Sequence, residues 1–307
     1  MDTKNTARQD ESMERWPALP FHEWKETSET LHMWTQVVGK VRMSLSPHIN
    51  HWWQVPLYVT ARGLTTSLIP YHYQRAFEVQ FDLTDHNLLI LSSDGRSKIL
   101  PLMPQSVAEF YEEFMTALRT LGIEVTIDTL PAEVQNPIRC DVDDVHQAYD
   151  AEYAHRFWRA LVQTQLVMQR FRSRFIGKNS PIHFFWGSFD LAVTRFSGRR
   201  APERPGADHM TREAYSHEVS SCGFWPGNES FPEPVFYSYT IPEPPGFKEA
   251  RVLPDKAFYS NEVGEFMLRY EDVRTSATPE QDLLNFFQST YEVGATLGNW
   301  DRKNLER

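Results

Sequence analysis

Apolar positions along the chain change period several times, and the succession of periods recurs. From Thr27 onward, Leu31, Trp34, Val38, Val41 and Leu45 fall at spacings of three and four, which places them on one face of a helix. Ser46-Pro47 ends that helix, because a proline ring disfavours helical geometry in the residue before it. HWWQVPLYVTARG, TTSLIPY, AFEVQFDLT, HNLLILSS and KILPLM follow, rich in β-branched and aromatic residues and separated by turn formers such as Ser93-Asp94-Gly95. These segments predict an antiparallel sheet. Ser106 with Glu109 three residues later is a capping box for a second helix, whose buried face is Val107, Phe110, Phe114, Leu118 and Leu121.

Past a linker carrying Pro131 and Pro137, the same order returns. Phe157, Leu161, Met168, Phe171 and Phe175 mark a long amphipathic helix that again stops at a Ser-Pro pair, Ser180-Pro181. His51-Trp52-Trp53 after the first pair corresponds to His183-Phe184-Phe185 after the second, and Val59-Thr60-Ala61-Arg62 to Val193-Thr194-Arg195. Thr278-Pro279-Glu280-Gln281 opens a terminal helix with a second capping box and proline in its first turn, and Leu283, Phe287, Thr290 and Leu297 are to face its core. The pattern predicts an α+β fold of two related halves, each an antiparallel sheet flanked by long helices, an internal pseudo-repeat packed as one globular body. Residues 1–20 form a polar N-terminal tail, 21–130 the first half, 131–145 a linker, and 146–307 the second half, lengthened by an insertion at about 200–260.

Composition narrows the partners. With 41% hydrophobic and 13% aromatic residues, the chain of 307 has material for a large core. Forty-one acidic against 31 basic residues give a net charge of −10, which repels polyanions and excludes nucleic acid as an expected partner. No run approaches the roughly twenty apolar residues of a membrane helix, and the polar first twenty residues lack the apolar centre of a signal peptide. Cys140 and Cys222 are the only cysteines, so no disulfide framework and no CxxC pair is present. A soluble cytoplasmic protein is expected.

Side chains able to do chemistry concentrate in the second half, in HFFWGSFDLAVTRFSGRR and EAYSHEVSSCGFWPG. The following PEPVFYSYTIPEPPGF is expected to lie extended against a surface, its prolines keeping it from extending a sheet. Together with LHMWTQVVGKVRMSLSP, HWWQVPLYVTARGLTTSLIPY and the terminal WDR, these segments resemble the bacterial family catalogued as domain of unknown function 5996, from about Trp16 to Trp300. The resemblance implies no activity, cofactor or catalytic residue.

Arginines are the leading candidates. Arg195 and Arg199, with Arg200 beside them and Arg62 and Arg42 as the first half's contributions, offer planar forks for a carboxylate or phosphate; internal ion pairs are the alternative use of the same side chains. His217 or His183 is the candidate for proton transfer, oriented by Glu218 or Asp190. Cys222 is weighed as a nucleophile against a small buried hydrophobe, and Trp186 and Trp225 as walls for a flat ligand. A metal held by His183, Asp190, His217, Glu218 and Cys222 is a further reading, although neighbouring strand residues such as His217 and Glu218 point to opposite faces. Neither a GxxxxGK[ST] nor a GxGxxG phosphate loop occurs. The expectation is a small anionic, partly aromatic ligand bound between the halves, with a non-catalytic structural or interaction protein and a metal-dependent enzyme as the rivals; no cofactor is specified.

Overall fold

The computed structural model describes residues 15–72 and 74–307. Helix α1 (Phe21–Leu45) leads through a short 3-10 turn (Asn50–Trp52) into β1 (Tyr58–Val59), β2 (Gly63–Thr65), β3 (Ile69–Tyr71), β4 (Arg75–Asp82), β5 (Asn87–Ser92) and β6 (Ser97–Pro101), then α2 (Val107–Thr120). An extended passage leads to α3 (Ala151–Ser173), β7 (His183–Phe185), β8 (Asp190–Arg200), α4 (His209–Ala214), β9 (His217–Trp225) and β10 (Val235–Ile241). The chain finishes with β11 (Phe258–Ser260), β12 (Glu265–Arg269), α5 (Tyr270–Arg274), α6 (Pro279–Leu297) and α7 (Arg302–Leu305). All pairings are antiparallel. One sheet runs β1-β2-β4-β5-β6 with β3 also on β4, the other β11-β12-β10-β9-β8-β7.

The first sheet follows its sequence signals closely. At the β5–β6 turn Gly95 takes a φ of 88°, open to glycine without steric cost, as Ser92 and Arg96 close the hairpin. Ser106 caps α2 as expected, its hydroxyl accepting from Glu109 N–H while the Glu109 carboxylate accepts from Ser106 N–H.

Helix α1 departs from the one-faced reading. Residues 33–42 are buried all round, including Thr35, Gln36, Lys40 and Arg42, because the helix packs on α2 and the first sheet on one side and on α3 and the β7–β8 turn on the other. Gly39 exists for that second contact: a Cβ there would lie 2.4 Å from the Trp186 ring. Polar groups of α1 therefore reach backbone. His32 Nε2 lies 3.0 and 2.9 Å from the carbonyls of Trp186 and Gly187, and Lys40 donates to Leu130 O at 2.7 Å.

A single core lies against both sheets. Phe157 of α3 meets Trp24 at 5.1 Å between centroids and stacks on Phe189 at 5.1 Å, while Trp34 stacks on Phe110 at 4.9 Å. The two sheets touch at their edges, where Leu57 and Phe184 exchange backbone hydrogen bonds of 2.8 and 2.9 Å.

Several expectations are corrected. The proline-flanked segment supplies β10, an interior strand between β9 and β12, because its prolines lie outside Val235–Ile241 and every ladder N–H is retained. The stretch at 200–260 thus contributes β9 and β10 to the second sheet together with the loops that join them. Thr278 makes no side-chain cap to α6, which begins directly on Pro279, and Leu297 is 39% exposed. Helix α3 ends at Ser173, well before Ser180-Pro181, and His51 occupies the 3-10 turn with a φ of 61° where His183 begins a strand. Of the polar tail, residues 1–14 lie outside the described residues, while Trp16 and Leu19 are 2% exposed and packed into the core.

Candidate functional site

Strand alternation sorts the second sheet into two faces. Val193, Phe224 and Phe236 turn toward α3 and α6 and are fully buried. The opposite face carries Ala192, Thr194 and Phe196 of β8, Gly223, Ser221 and Val219 of β9, Tyr237, Tyr239 and Ile241 of β10, and Met267 and Glu265 of β12, aligned by the register. This second face is polar for a sheet interior. It ends in a basic cluster on one side and in an acidic, tyrosine-lined cleft on another.

The basic cluster sits where the Asn50–Trp52 turn meets β8 and β9. Lys178 pairs with β8 through its carbonyl, which accepts from Phe196 N–H at 3.0 Å. Its ammonium lies 4.8 Å from the Phe196 ring centre and 5.1 Å from that of Trp53, and donates to His51 Nε2 at 2.8 Å. No carboxylate lies within ion-pairing distance of Lys178 among the described residues. His217 stands 5.6 Å from His51, ring to ring, and exposed Arg200 faces His217 across the β8–β9 ladder. Burial lowers the pKa of Lys178, His51 and His217, and the Lys178 charge lowers both histidines further. Behind Trp53, His183 is 1% exposed, with a pKa lowered to about 3 by burial, then by the charges of Arg42 and Arg172. His183 Nε2 and Arg42 Nη1 are both buried with no hydrogen-bond partner.

The cleft lies near the far ends of β10 and β12. It encloses about 380 Å³ and is lined in part by Glu203, Arg204, Tyr215, Tyr239, Glu243 and Glu265. Tyr215 and Tyr239 share a hydroxyl–hydroxyl bond of 2.9 Å, and Thr194 and Ser221 another of 2.9 Å. Gly223 makes room for Tyr237: a Cβ there would lie 2.2 Å from its ring. Tyr237 OH in turn donates to Asp190, whose carboxylate also accepts from Ser188 Oγ and is pushed up by burial. Glu265 has neither a hydrogen bond nor an ion pair through its carboxylate among the described residues, and burial, then the Asp190 charge, raises its pKa to about 7.

The expected arginine clamp is not assembled. Arg195 is fully buried on the helix side of the sheet, 3.5 Å from the Phe171 ring centre and 4.3 Å from that of Tyr291, with Nη2 donating to Phe171 O. A guanidinium so enclosed has no face for a ligand, and burial lowers its pKa to about 10. Arg199 binds Glu218 through Nε at 2.9 Å and Nη2 at 2.7 Å, and reaches the carbonyl of Asn299 at 2.9 Å. Arg62 pairs with Asp82 at 2.6 Å and Asp85 at 2.5 Å in the first half. Glu218 is therefore the counter-ion of Arg199 and orients no histidine; Asp190 likewise meets Tyr237 and Ser188.

Cys222 is 2% exposed, and burial drives its thiol far above the ordinary range, against a nucleophilic role. Trp186 Nε1 donates to Val55 O at 2.8 Å from within the core, so it walls no open pocket; half-buried Trp225 packs on Phe231 at 6.2 Å. His183, Asp190, His217, Glu218 and Cys222 do not converge, and no group of three or more His, Cys, Asp or Glu placed to hold a metal occurs among the described residues.

The chain matches the model of the family of unknown function DUF5996 over residues 16–307, nearly its whole length. It belongs to that family. No curated protein and no solved structure matches it. No helix among the described residues is long and apolar enough to cross a membrane. Family membership brings no assigned chemistry, so the role of each side chain rests on its surroundings.

Lys178, Tyr215, Tyr237, Tyr239 and Glu265 escaped the sequence reading. The tyrosines had a usable signal, since Tyr237 and Tyr239 alternate with Phe236, Ser238 and Thr240 and must share a face in any strand. Lys178 and Glu265 had none; their company comes from the register of distant segments.

Proposed function

We propose that this protein binds a small anionic, partly aromatic molecule at the junction of its halves. Lys178, His217 and Arg200 meet the anion, and half-buried Trp53 lies against the apolar part. The observation that carries this reading is the state of Lys178: a partly buried ammonium whose polar partner is the neutral ring of His51, with no carboxylate to neutralise it among the described residues. In a protein of net charge −10, cations without acidic partners gathered at one place attract an anion. His51 and Trp53 come from the first half and the cations from the second, which supports a ligand seated between them. His217 is the group available for proton transfer, having no carboxylate partner among the described residues. Two free, buried cysteines suit a cytoplasmic setting.

The structural alternative is favoured at Arg195 and Arg199 themselves, which brace α3, α6 and the C-terminal turn. Calorimetric titration with benzoate, benzyl alcohol and inorganic phosphate tests the ligand reading. Benzoate is expected to bind saturably, more tightly than the neutral alcohol and than phosphate, and Lys178→Met to weaken it about tenfold or more. Equal binding of benzoate and benzyl alcohol, or an unchanged benzoate affinity in Lys178→Met, removes the proposal.

A further inference from the structure

The cleft at the ends of β10 and β12 is chemically the opposite of the Lys178 cluster and stands apart from the reading above. We infer that it is a binding site for an organic ammonium ion, held by the Glu265 carboxylate and the faces of Tyr215 and Tyr239.

Charge is the first argument. The cleft presents Glu203, Glu243 and Glu265 against the single guanidinium of Arg204, and Asp190 lies behind them close enough to act on Glu265. An anion entering here meets three carboxylates. Two of the charged groups are already engaged: Arg204 lies 4.5 Å from the Tyr215 ring centre, and Glu243 accepts from Tyr259 OH at 2.5 Å. Glu265 is left as the half-buried acceptor without a donor, and a carboxylate in that position gains most from an incoming cation because its surroundings screen little.

The walls are the second argument. Tyrosine faces carry negative quadrupole density and attract cations within about 6 Å of the ring centre. Tyr215 and Tyr239 have centroids 6.4 Å apart at 49°, so their faces form two sides of a corner. The hydroxyl–hydroxyl bond between them fixes both rings, and Tyr239 stands parallel to Tyr237, which Asp190 anchors from below. These rings are placed before any ligand arrives, which spares the ordering cost of binding. A space of about 380 Å³ admits a molecule of the size of choline or a short diamine.

Titration of the full chain with choline, with its neutral isostere 3,3-dimethyl-1-butanol and with 1,4-diaminobutane separates charge from shape. Choline or the diamine is expected to bind saturably, the neutral isostere about tenfold or more weakly than choline, and Glu265→Gln to weaken the ammonium ligands by a similar factor. Lys178→Met is expected to leave choline binding unchanged, so failure of the anion reading and of this one are distinguishable. Equal affinity for choline and its isostere, no saturable binding of either ammonium, or full choline affinity in folded Glu265→Gln overturns the inference. Should Glu265→Gln fail to fold, the comparison of choline with its isostere on the unaltered protein decides.

Discussion

Lys178 and His51 lie 127 residues apart in sequence, and the lysine ammonium donates to His51 Nε2 at 2.8 Å. The tautomer follows from the other ring nitrogen: Nδ1 donates to Ala214 O at 3.1 Å, leaving the lone pair on Nε2. The contact is thus a hydrogen bond from a cation to a neutral ring, with both groups held below their ordinary pKa by burial. A bound anion reverses that bias. Benzoate binding is therefore expected to take up protons, and its affinity to rise as pH falls from about 8 to about 6, where the ligand stays ionised and His51 and His217 begin to charge. Titration in buffers of different ionisation enthalpy measures the uptake. A pH-independent affinity with no proton exchange contradicts the assignment of these histidines.

Arg195 separates a structural from a binding arginine. Arg195→Ala removes a fully buried side chain lying on Phe171 and Tyr291, and is expected to destabilise the fold by about 3–5 kcal/mol. Arg195→Met fills the space without a buried charge and is expected to fall within about 1 kcal/mol of the unaltered protein, or above it. Both variants are expected to bind benzoate normally. Urea unfolding and the benzoate titration check the pair together.

Glu265 links the cleft to stability. Its carboxyl is raised from 4.5 to about 7 in the folded protein. Below the unfolded value both states are protonated and the group costs nothing; as pH rises through the window from 4.5 to about 7, the unfolded chain ionises first and stability is lost. Glu265→Gln cannot ionise. Its stability relative to the unaltered protein is expected to climb across that window, by on the order of 2 kcal/mol after allowance for partial exposure, and then to level off. Urea midpoints measured on both sides of the window would show no such divergence if the carboxyl titrated normally.

Gly223 is tied to Tyr237 by space alone. Gly223→Ala sets a methyl 2.2 Å from the Tyr237 ring, which must swing away from Asp190. A loss of about 1–3 kcal/mol is expected, with weaker choline binding because Tyr237 stands parallel to Tyr239. Retained stability and retained choline affinity would show that the rings tolerate displacement.

What the sequence made legible follows from range. Local signals served well: Ser106 and Glu109 cap α2, and AFEVQFDLT and HNLLILSS form β4 and β5, which pair antiparallel. Arg195 misled because it was read from residue type and clustering, which do not tell which face of the strand the helices cover; the strand period that leaves Thr194 half-buried turns Arg195 into the core. In β10 the flanking prolines outweighed the strand-forming run between them, although a proline beyond the last ladder N–H removes no bond. Helix α1 read as amphipathic because its second set of contacts comes from Trp186 and Phe157, far along the chain. The Lys178–His51 contact depends on the same kind of long-range meeting.

The backbone exchange between Leu57 and Phe184 has a further meaning for the molecule's behaviour in a crowded solution. An unpaired strand edge is a template for any other strand, and here each sheet's inner edge is stoppered by the other. Separating the halves, by truncation or by partial unfolding, uncovers both edges at once. The pairing thus leaves neither of these two strand edges wholly open at the point where the sheets meet.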